Sequence, residues 1–423
     1  MIGDLKKILF VQCIFIIITM INCSNGDDKT VAQVNDKIIS ASNFKTNYNE
    51  FLKNNFLSDN LLNRYAFINN MIDEILFVNY ATDLGVDNDS IFLENKSKIY
   101  DQLLLNNYFE NEIESDFKVN ETESRQIYSW KNLTLHVRHL FSKDSNKIEK
   151  MYNRIENGGS WDLIAMESFR DSALKNSGGD LGWIRLGDSD PFFEFAAFSM
   201  EIGSVSRPIR TRNGYSIIQL LDKTYESFLK ESDYLSSKPD LIRLARYYKK
   251  QFTIRGYMDT VKEQLNIKFL DNALDDLYKI IFFFNNSQDF KLGEKLLVFN
   301  NGSWNLERTI KKLSKLSKHQ LGRIESKSDL KDAISGLVVR SYFLQNAKEL
   351  GLDKNSIFKN EYQNLVDRDK VKFVLEMVNA GLDQNDPDFE KHKRSKYFNF
   401  RDQLSQNNKV LVDSLVLKNM VVS

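Results

Sequence analysis

Gly178-Gly179-Asp180-Leu181-Gly182-Trp183 decides the fold of the middle of this chain, because of the segments that bracket it. Glycines at this density mark turns that Cβ-bearing residues resist. Upstream, Leu133-Thr134-Leu135-His136-Val137-Arg138-His139-Leu140-Phe141 reads as a strand. Its period-two alternation places Leu133, Leu135, Val137 and His139 on one face and turns His136 and Arg138 to the other. Downstream, Pro191-Phe192-Phe193-Glu194 with Ala196-Ala197-Phe198 begins a helix, and Asn213-Gly214-Tyr215-Ser216-Ile217-Ile218 returns as a strand. Trp183 is expected to pack on the sheet.

The rest of the chain has a different character. Residues 31–39 alternate like a short strand pair with Asn35-Asp36 at the turn, and Ser40 or Ser42 can cap the helix that follows. Leu62, Tyr65, Ile68, Ile72, Ile75 and Leu76 recur near helical spacing, and Gly85 stops that helix. Beyond residue 222 helical character returns, with a long amphipathic segment over about residues 240–264 and another over 273–284. One similarity crosses the chain. Ala81, Leu84, Gly85, Asp87, Ser90, Ile91 and Phe92 reappear without a gap as Ala347, Leu350, Gly351, Asp353, Ser356, Ile357 and Phe358. A looser pair, residues 34–37 with 299–302, has nearly the same offset. The expectation is a helical module present twice, with the sheet domain between the copies.

Composition narrows the function. The chain has 423 residues, enough for two or three domains, and its 30 Phe supply ample apolar material for packing. With 58 basic and 58 acidic residues it has no charge excess to favour nucleic acid. No Walker-type loop, nucleophile elbow or paired-cysteine or histidine metal spacing occurs, and no cofactor is implied.

The first residues read as an export signal. Lys6-Lys7 precede an apolar run from Ile8 to Ile21, too short for a bilayer span of about 20 residues and right for a signal-peptide core. The run ends at Cys23 and resembles a bacterial lipoprotein signal, in which Cys23 is lipidated and becomes the mature N-terminus. Asn22 departs from the small residue usual before that cysteine; a plain signal peptide or an uncleaved anchor is the alternative. Cleavage before Cys23 also removes Cys13, the other cysteine, so no disulfide is available to an exported protein.

The order and spacing of the central segments resemble a parvulin-type (PpiC-like) peptidyl-prolyl isomerase domain. The resemblance implies an α+β fold: a four-stranded antiparallel sheet with helices, flanked by mostly helical chaperone-like segments. The implied boundaries are a signal over 1–22, a helical segment over 23–132, the isomerase-like domain over 133–225 and a helical region over 226–423. It also implies site residues. The first family histidine falls on His139, and the second falls on Ser216. The acid or cysteine position falls on Ser172, beside Asp171. The aromatic floor is Phe193, the family methionine is replaced by Ser189, and Asn213 belongs to the substrate-binding set. The loop of residues 142–147 lacks the arginines with which phosphate-directed parvulins grip phosphoserine.

An exported parvulin-like domain between helical segments resembles the SurA-type periplasmic chaperones and the PrsA-type lipoprotein foldases. The implied function is a folding factor of the bacterial cell envelope, facing the periplasm or another extracytoplasmic side. It would bind unfolded exported polypeptides at X–Pro segments and isomerise them while held to the membrane by a lipid. Two other readings stand beside it: a non-catalytic chaperone that uses a degenerate parvulin domain for peptide binding, and a structural subunit of an envelope complex.

Overall fold

The computed structural model describes residues 28–114, 117–225, 228–282, 290–300 and 302–422; the stretch read as an export signal, with Cys23, lies outside them. In chain order the strands are β1 (Thr30–Val34), β2 (Lys37–Ser40), β3 (Leu133–Ser142), β4 (Asp180–Ile184), β5 (Ile209–Arg210), β6 (Tyr215–Tyr225), β7 (Lys268–Phe269), β8 (Lys295–Phe299), β9 (Gly302–Asn305) and β10 (Val410–Val412). They form three sheets, ordered β10-β1-β2, β4-β3-β6-β5 and β7-β8-β9, with every pairing antiparallel. The chain divides into two compact units, residues 1–107 with 346–423 and residues 108–345.

The first unit joins the two ends of the chain. Asn35, at φ +51°, turns β1 into β2, and Ser40 caps the helix Ala41–Asn54 by accepting from the Asn43 amide. The helix Leu61–Asp83 carries Phe67, Ile68, Met71, Ile72, Ile75 and Leu76 into a core shared with Val366, Val374, Leu404 and Leu417 from the distal end. Each such side chain removed from water stabilises the fold by about 1.5–3 kcal/mol. Polar ties fix the register. Arg64 donates to the Leu417 and Lys418 carbonyls at 2.9 and 3.2 Å. The buried Asp73 accepts from Arg401 Nε and the Tyr397 hydroxyl, each at 2.7 Å.

The second unit contains the long sheet. β3 and β6 pair along their whole lengths, from Leu133↔Tyr225 to Ser142↔Tyr215. One face, with Leu135, Val137, Ile218 and Leu220, packs on Phe193, Ala197 and Phe198 of the helix Pro191–Phe198. The other face, with Leu140 and Ile217, packs on Ile148, Met151, Trp161 and Ile164. Trp183 departs from expectation: it lies half-exposed on β4 and stacks on His136 with ring centroids 5.2 Å apart. The helix expected over 240–264 also starts earlier, spanning Glu231–Leu265 with Pro239 inside it. Pro239 removes one hydrogen bond, but tertiary contacts hold the first turns. Tyr234 is fully buried, with its hydroxyl 2.8 Å from that of Ser124 and donating to Glu121 at 2.9 Å.

The element order before and after the long sheet is similar. Hairpin β1–β2 is followed by the helices Ala41–Asn54 and Leu61–Asp83, Gly85 at φ +75° and the helix Ser90–Phe109. Hairpin β8–β9 is followed by helices including Leu306–Leu313 and Lys327–Glu349, Gly351 at φ +69° and the helix Ser356–Val378.

Two stability outcomes follow from these placements. Gly179 has φ +77°, and a Cβ there would lie 2.0 Å from the His139 carbonyl oxygen. Gly179→Ala is therefore expected to unfold the central domain or lower its denaturation midpoint by several kcal/mol equivalent; an unchanged midpoint would refute the contact. In the first unit, burial pushes the Glu74 carboxyl up to about 7, with the Arg368 charge opposing it and the Asp367 charge adding to it. A raised carboxyl binds its proton more tightly folded than unfolded, so stability is lost as pH rises from about 4.5 through 7. Glu74→Gln should raise the melting temperature at pH 8 and leave it nearly unchanged at pH 4.

Candidate active site

His139 sits on β3 opposite Ile218 of β6, on the face that meets the helix Pro191–Phe198. Three phenylalanines surround it. The ring centroids of Phe169, Phe193 and Phe141 lie 5.6, 6.0 and 6.3 Å from the imidazole, with Phe193 presented edge-on. This apolar enclosure pushes the imidazole down to about 4, so the side chain is neutral at physiological pH. Its imidazole contacts Ser216, whose Oγ lies 3.5 Å from Nδ1 and is itself buried. A serine hydroxyl both donates and accepts, and a neutral imidazole does one at each nitrogen, so this contact suits either tautomer of His139.

The backbone beneath the histidine explains the glycines. The His139 amide donates to the Gly179 carbonyl at 2.9 Å, and Gly179 also lies against the Phe169 ring. Gly214, at φ +147°, allows the turn into β6 to approach Ser142 and Phe141, where a Cβ would stand 2.7 Å from the Ser142 oxygen. That approach places Ser216 in register with Phe141.

The residues expected at the site are therefore brought together in part. His139, Ser216 and Phe193 form one cluster. Ser172 does not join it: it is exposed at the start of the short helix Ser172–Asn176, capped by Asp171. Ser189 is half-buried in the turn before the phenylalanine helix, its amide donating to Glu194 Oε1 at 2.7 Å. Asn213 is exposed on the rim, with its side-chain oxygen accepting from Arg323 at 3.0 Å. Cys23 lies outside the described residues.

Two contributors escaped the sequence reading. Phe169 terminates the helix Trp161–Ser168 and has no motif of its own. Glu194 is almost wholly buried, and its carboxylate accepts from the Gly187 and Ser189 amides at 2.8 and 2.7 Å and from the Tyr248 hydroxyl. Its place in the first turn of a proline-initiated helix was legible, but its partner fifty-four residues later was not. Among the described residues, no group of three or more His, Cys, Asp or Glu side chains is placed to hold a metal. What the arrangement offers is a set of aromatic rings around one neutral imidazole and one hydroxyl.

Residues 142–222 match the model of the PPIC-type peptidyl-prolyl isomerase domain of the rotamase family. The central domain is a PpiC-type peptidyl-prolyl isomerase. The chain is 23% identical over 281 residues to the foldase protein PrsA of Geobacillus kaustophilus, covering 64% of this chain and 98% of that protein. It is 28% identical over 152 residues to the chaperone SurA of Methylobacillus flagellatus, covering 34% of this chain and 33% of that one. The crystal structure of the peptidylprolyl isomerase PrsA of Bacillus anthracis aligns at 22% identity and TM-score 0.24, over 50% of this chain and 77% of that one. The matched domain and the PrsA and SurA sequence relatives favour an extracytoplasmic isomerase and chaperone over a non-catalytic peptide-binding module.

The depressed His139 basicity has a measurable consequence. The unfolded imidazole takes up its proton near pH 6.5 and the folded one only near pH 4, so stability falls as pH drops between those values, by about 3 kcal/mol at most. His139→Phe should flatten this part of the stability profile. Catalysis should be pH-independent from about pH 5.5 to 8, since the imidazole stays neutral throughout. A rate that falls as His139 protonates near pH 6.5 would contradict the buried neutral state.

Proposed function

We infer that prolyl isomerisation takes place over His139, with Phe169 and Phe193 receiving the pyrrolidine ring and Ser216 holding the imidazole. The observation that carries this reading is the neutral His139–Ser216 pair enclosed by phenylalanines within the PpiC-type domain. The X–Pro barrier, about 18–20 kcal/mol, comes from amide resonance. Rotation breaks conjugation and withdraws charge from the carbonyl oxygen, so water hydrogen bonds to that oxygen favour the planar ground states. A slot that strips this water and grips the ring lowers the barrier without forming a bond. Substrate is expected to be unfolded exported polypeptide, the class implied by the resemblance to PrsA and SurA foldases.

The surrounding segments suit a holding role. The similar element orders on the two sides of the isomerase are read as two copies of one helical module. The second copy would supply the helix Ser356–Val378, which packs on Leu61–Asp83, and the chain after it supplies β10, which closes the β1–β2 hairpin. No helix among the described residues is long and apolar enough to cross a membrane. Attachment through a lipid on Cys23, a few residues before the first described strand, would hold the foldase at the extracytoplasmic surface.

The test is isomerisation of an Ala-Pro peptide by the full mature chain. His139→Ala should lower kcat/KM by at least about tenfold, equal to 1.4 kcal/mol of transition-state stabilisation. Ser216→Ala should lower it less, and suppression of client aggregation should survive both changes. A background rate in the native protein, or one indifferent to His139→Ala, would overturn the proposed site.

A further inference from the structure

Four arginines from three separate parts of the second unit converge beside the phenylalanine helix. Arg210 ends β5, Arg212 lies in the turn to β6, Arg255 comes from the helix Glu231–Leu265, and Arg323 follows the helix Lys318–Leu321. The Arg255 guanidinium lies 3.1 Å from the centroid of Phe192, the neighbour of Phe193, and Nη1 donates to the Arg210 carbonyl. The Arg212 amide donates to Asp190 Oδ2 at 3.0 Å, and Asp190 caps the helix that carries Pro191, Phe192 and Phe193. Arg323 donates to the Arg212 carbonyl and to Asn213 Oδ1, each at 3.0 Å. Arg255 and Arg323 thus grip the backbone that carries Arg210 and Arg212, beside the phenylalanine helix.

Their charge is only partly answered. Two carboxylates are paired with them among the described residues: Asp259, 3.4 Å from Arg210, and the largely buried Asp190, 3.8 Å from Arg212 Nε. Arg323 and Arg255 instead hydrogen-bond neutral oxygens, and Arg212 Nη2 donates to the Tyr247 hydroxyl. Burial, with the charge of Arg210 next, makes Arg255 easier to deprotonate than an ordinary arginine, while Asp190 and Asp259 oppose the shift. Guanidinium groups that touch only neutral acceptors keep N–H donors in a fork that matches a carboxylate. More than half of each of the Arg210 and Arg212 side chains is open to solvent.

We propose that this rim makes the isomerase selective for X–Pro segments with a glutamate or aspartate beside the proline, Arg212 and Arg323 being the specificity-determining residues. The inference rests on the reading that the proline occupies the Phe169–Phe193 slot. It assigns a role to the distal segment, since Arg323 reaches the rim from 111 residues beyond Arg212. It is also compatible with a loop after β3 that carries no arginine, because the positive charge enters from the opposite side of the sequence.

The experiment uses the full mature chain and fluorescein-labelled heptapeptides with one central proline. Flanking residues are Glu, Gln or Lys, and a fourth peptide carries the Glu charges at its far end. Anisotropy titrations should show about tenfold tighter binding of the Glu-flanked than of the Gln-flanked peptide at low salt, falling towards parity in 0.5 M NaCl, where the screening length is about 4 Å. Arg212→Gln with Arg323→Gln should remove the preference while leaving the Gln-flanked peptide within about twofold, and Arg323→Lys should retain part of it. The Glu/Gln ratio is measured within one preparation, so partial unfolding does not alter it. Equal affinity for the Glu- and Gln-flanked peptides, a preference that survives the double substitution, or an equal gain from distant Glu charges would overturn the proposal. Isomerisation of the same peptides separates it from the reading beneath it. Catalysis without a Glu preference sinks the rim and keeps the isomerase. Glu-selective binding without catalysis does the reverse, and failure to bind any of the peptides sinks both.

Discussion

The close approach of Gly179 to His139 is the contact on which the central domain depends. The His139 amide donates to the Gly179 carbonyl, and the space beside the His139 oxygen is too small for any side chain at position 179. This contact continues the pairing of β4 along β3 past the bulge between Val137 and Arg138. It also presses Phe169 against the imidazole, since the same glycine lies under that ring. One backbone conformation thereby sets the strand register, the orientation of the histidine and one wall of its pocket. A larger residue would disturb all three at once, because a packed β-sheet has few independent ways to yield.

A second constraint organises the other wall. The Glu194 carboxylate is buried and satisfied by two amides and a phenol, an arrangement that would be costly if any partner were missing. The phenol belongs to Tyr248, on the helix after the sheet, and Tyr234, Leu241 and Ala245 of that helix complete the same core. The hydrophobic core of the isomerase thus reaches well past the last strand of its sheet. Glu194 ties the turn containing Ser189 to this helix, and Arg255 from the same helix covers Phe192. The phenylalanine helix and the arginine that covers it share one support.

Local order was legible where residues announce their own geometry. The β3 alternation, the Asn35 turn and the Gly85 stop were all readable from spacing, and the family pattern named both His139 and Ser216. What escaped was whatever depends on a partner distant in sequence. Trp183 has the composition of a core residue, yet β4 is an edge strand and leaves it half in water against His136. Pro239 argues locally for a helix boundary, and only the buried Tyr234 explains why the helix begins earlier. Ser172 illustrates the limit of positional transfer. Asp171 uses its side chain to cap the following turn, and the serine beside it faces solvent.

The loss of a second histidine has a different weight once the chemistry is stated. A proton-transfer enzyme would need two groups with matched proton affinities, and a serine could not replace one of them. Prolyl isomerisation moves no proton and makes no bond, so the site has to be dry, complementary to a twisted amide and firmly held. Burial already makes His139 neutral without help from a partner. What the ring still needs is a fixed orientation, and one buried hydroxyl near Nδ1 is chemically sufficient for that. On the proposed reading, Ser216 replaces a positional function rather than a titratable one. The aromatic residues, more than the number of imidazoles, become the measure of whether such a site can work.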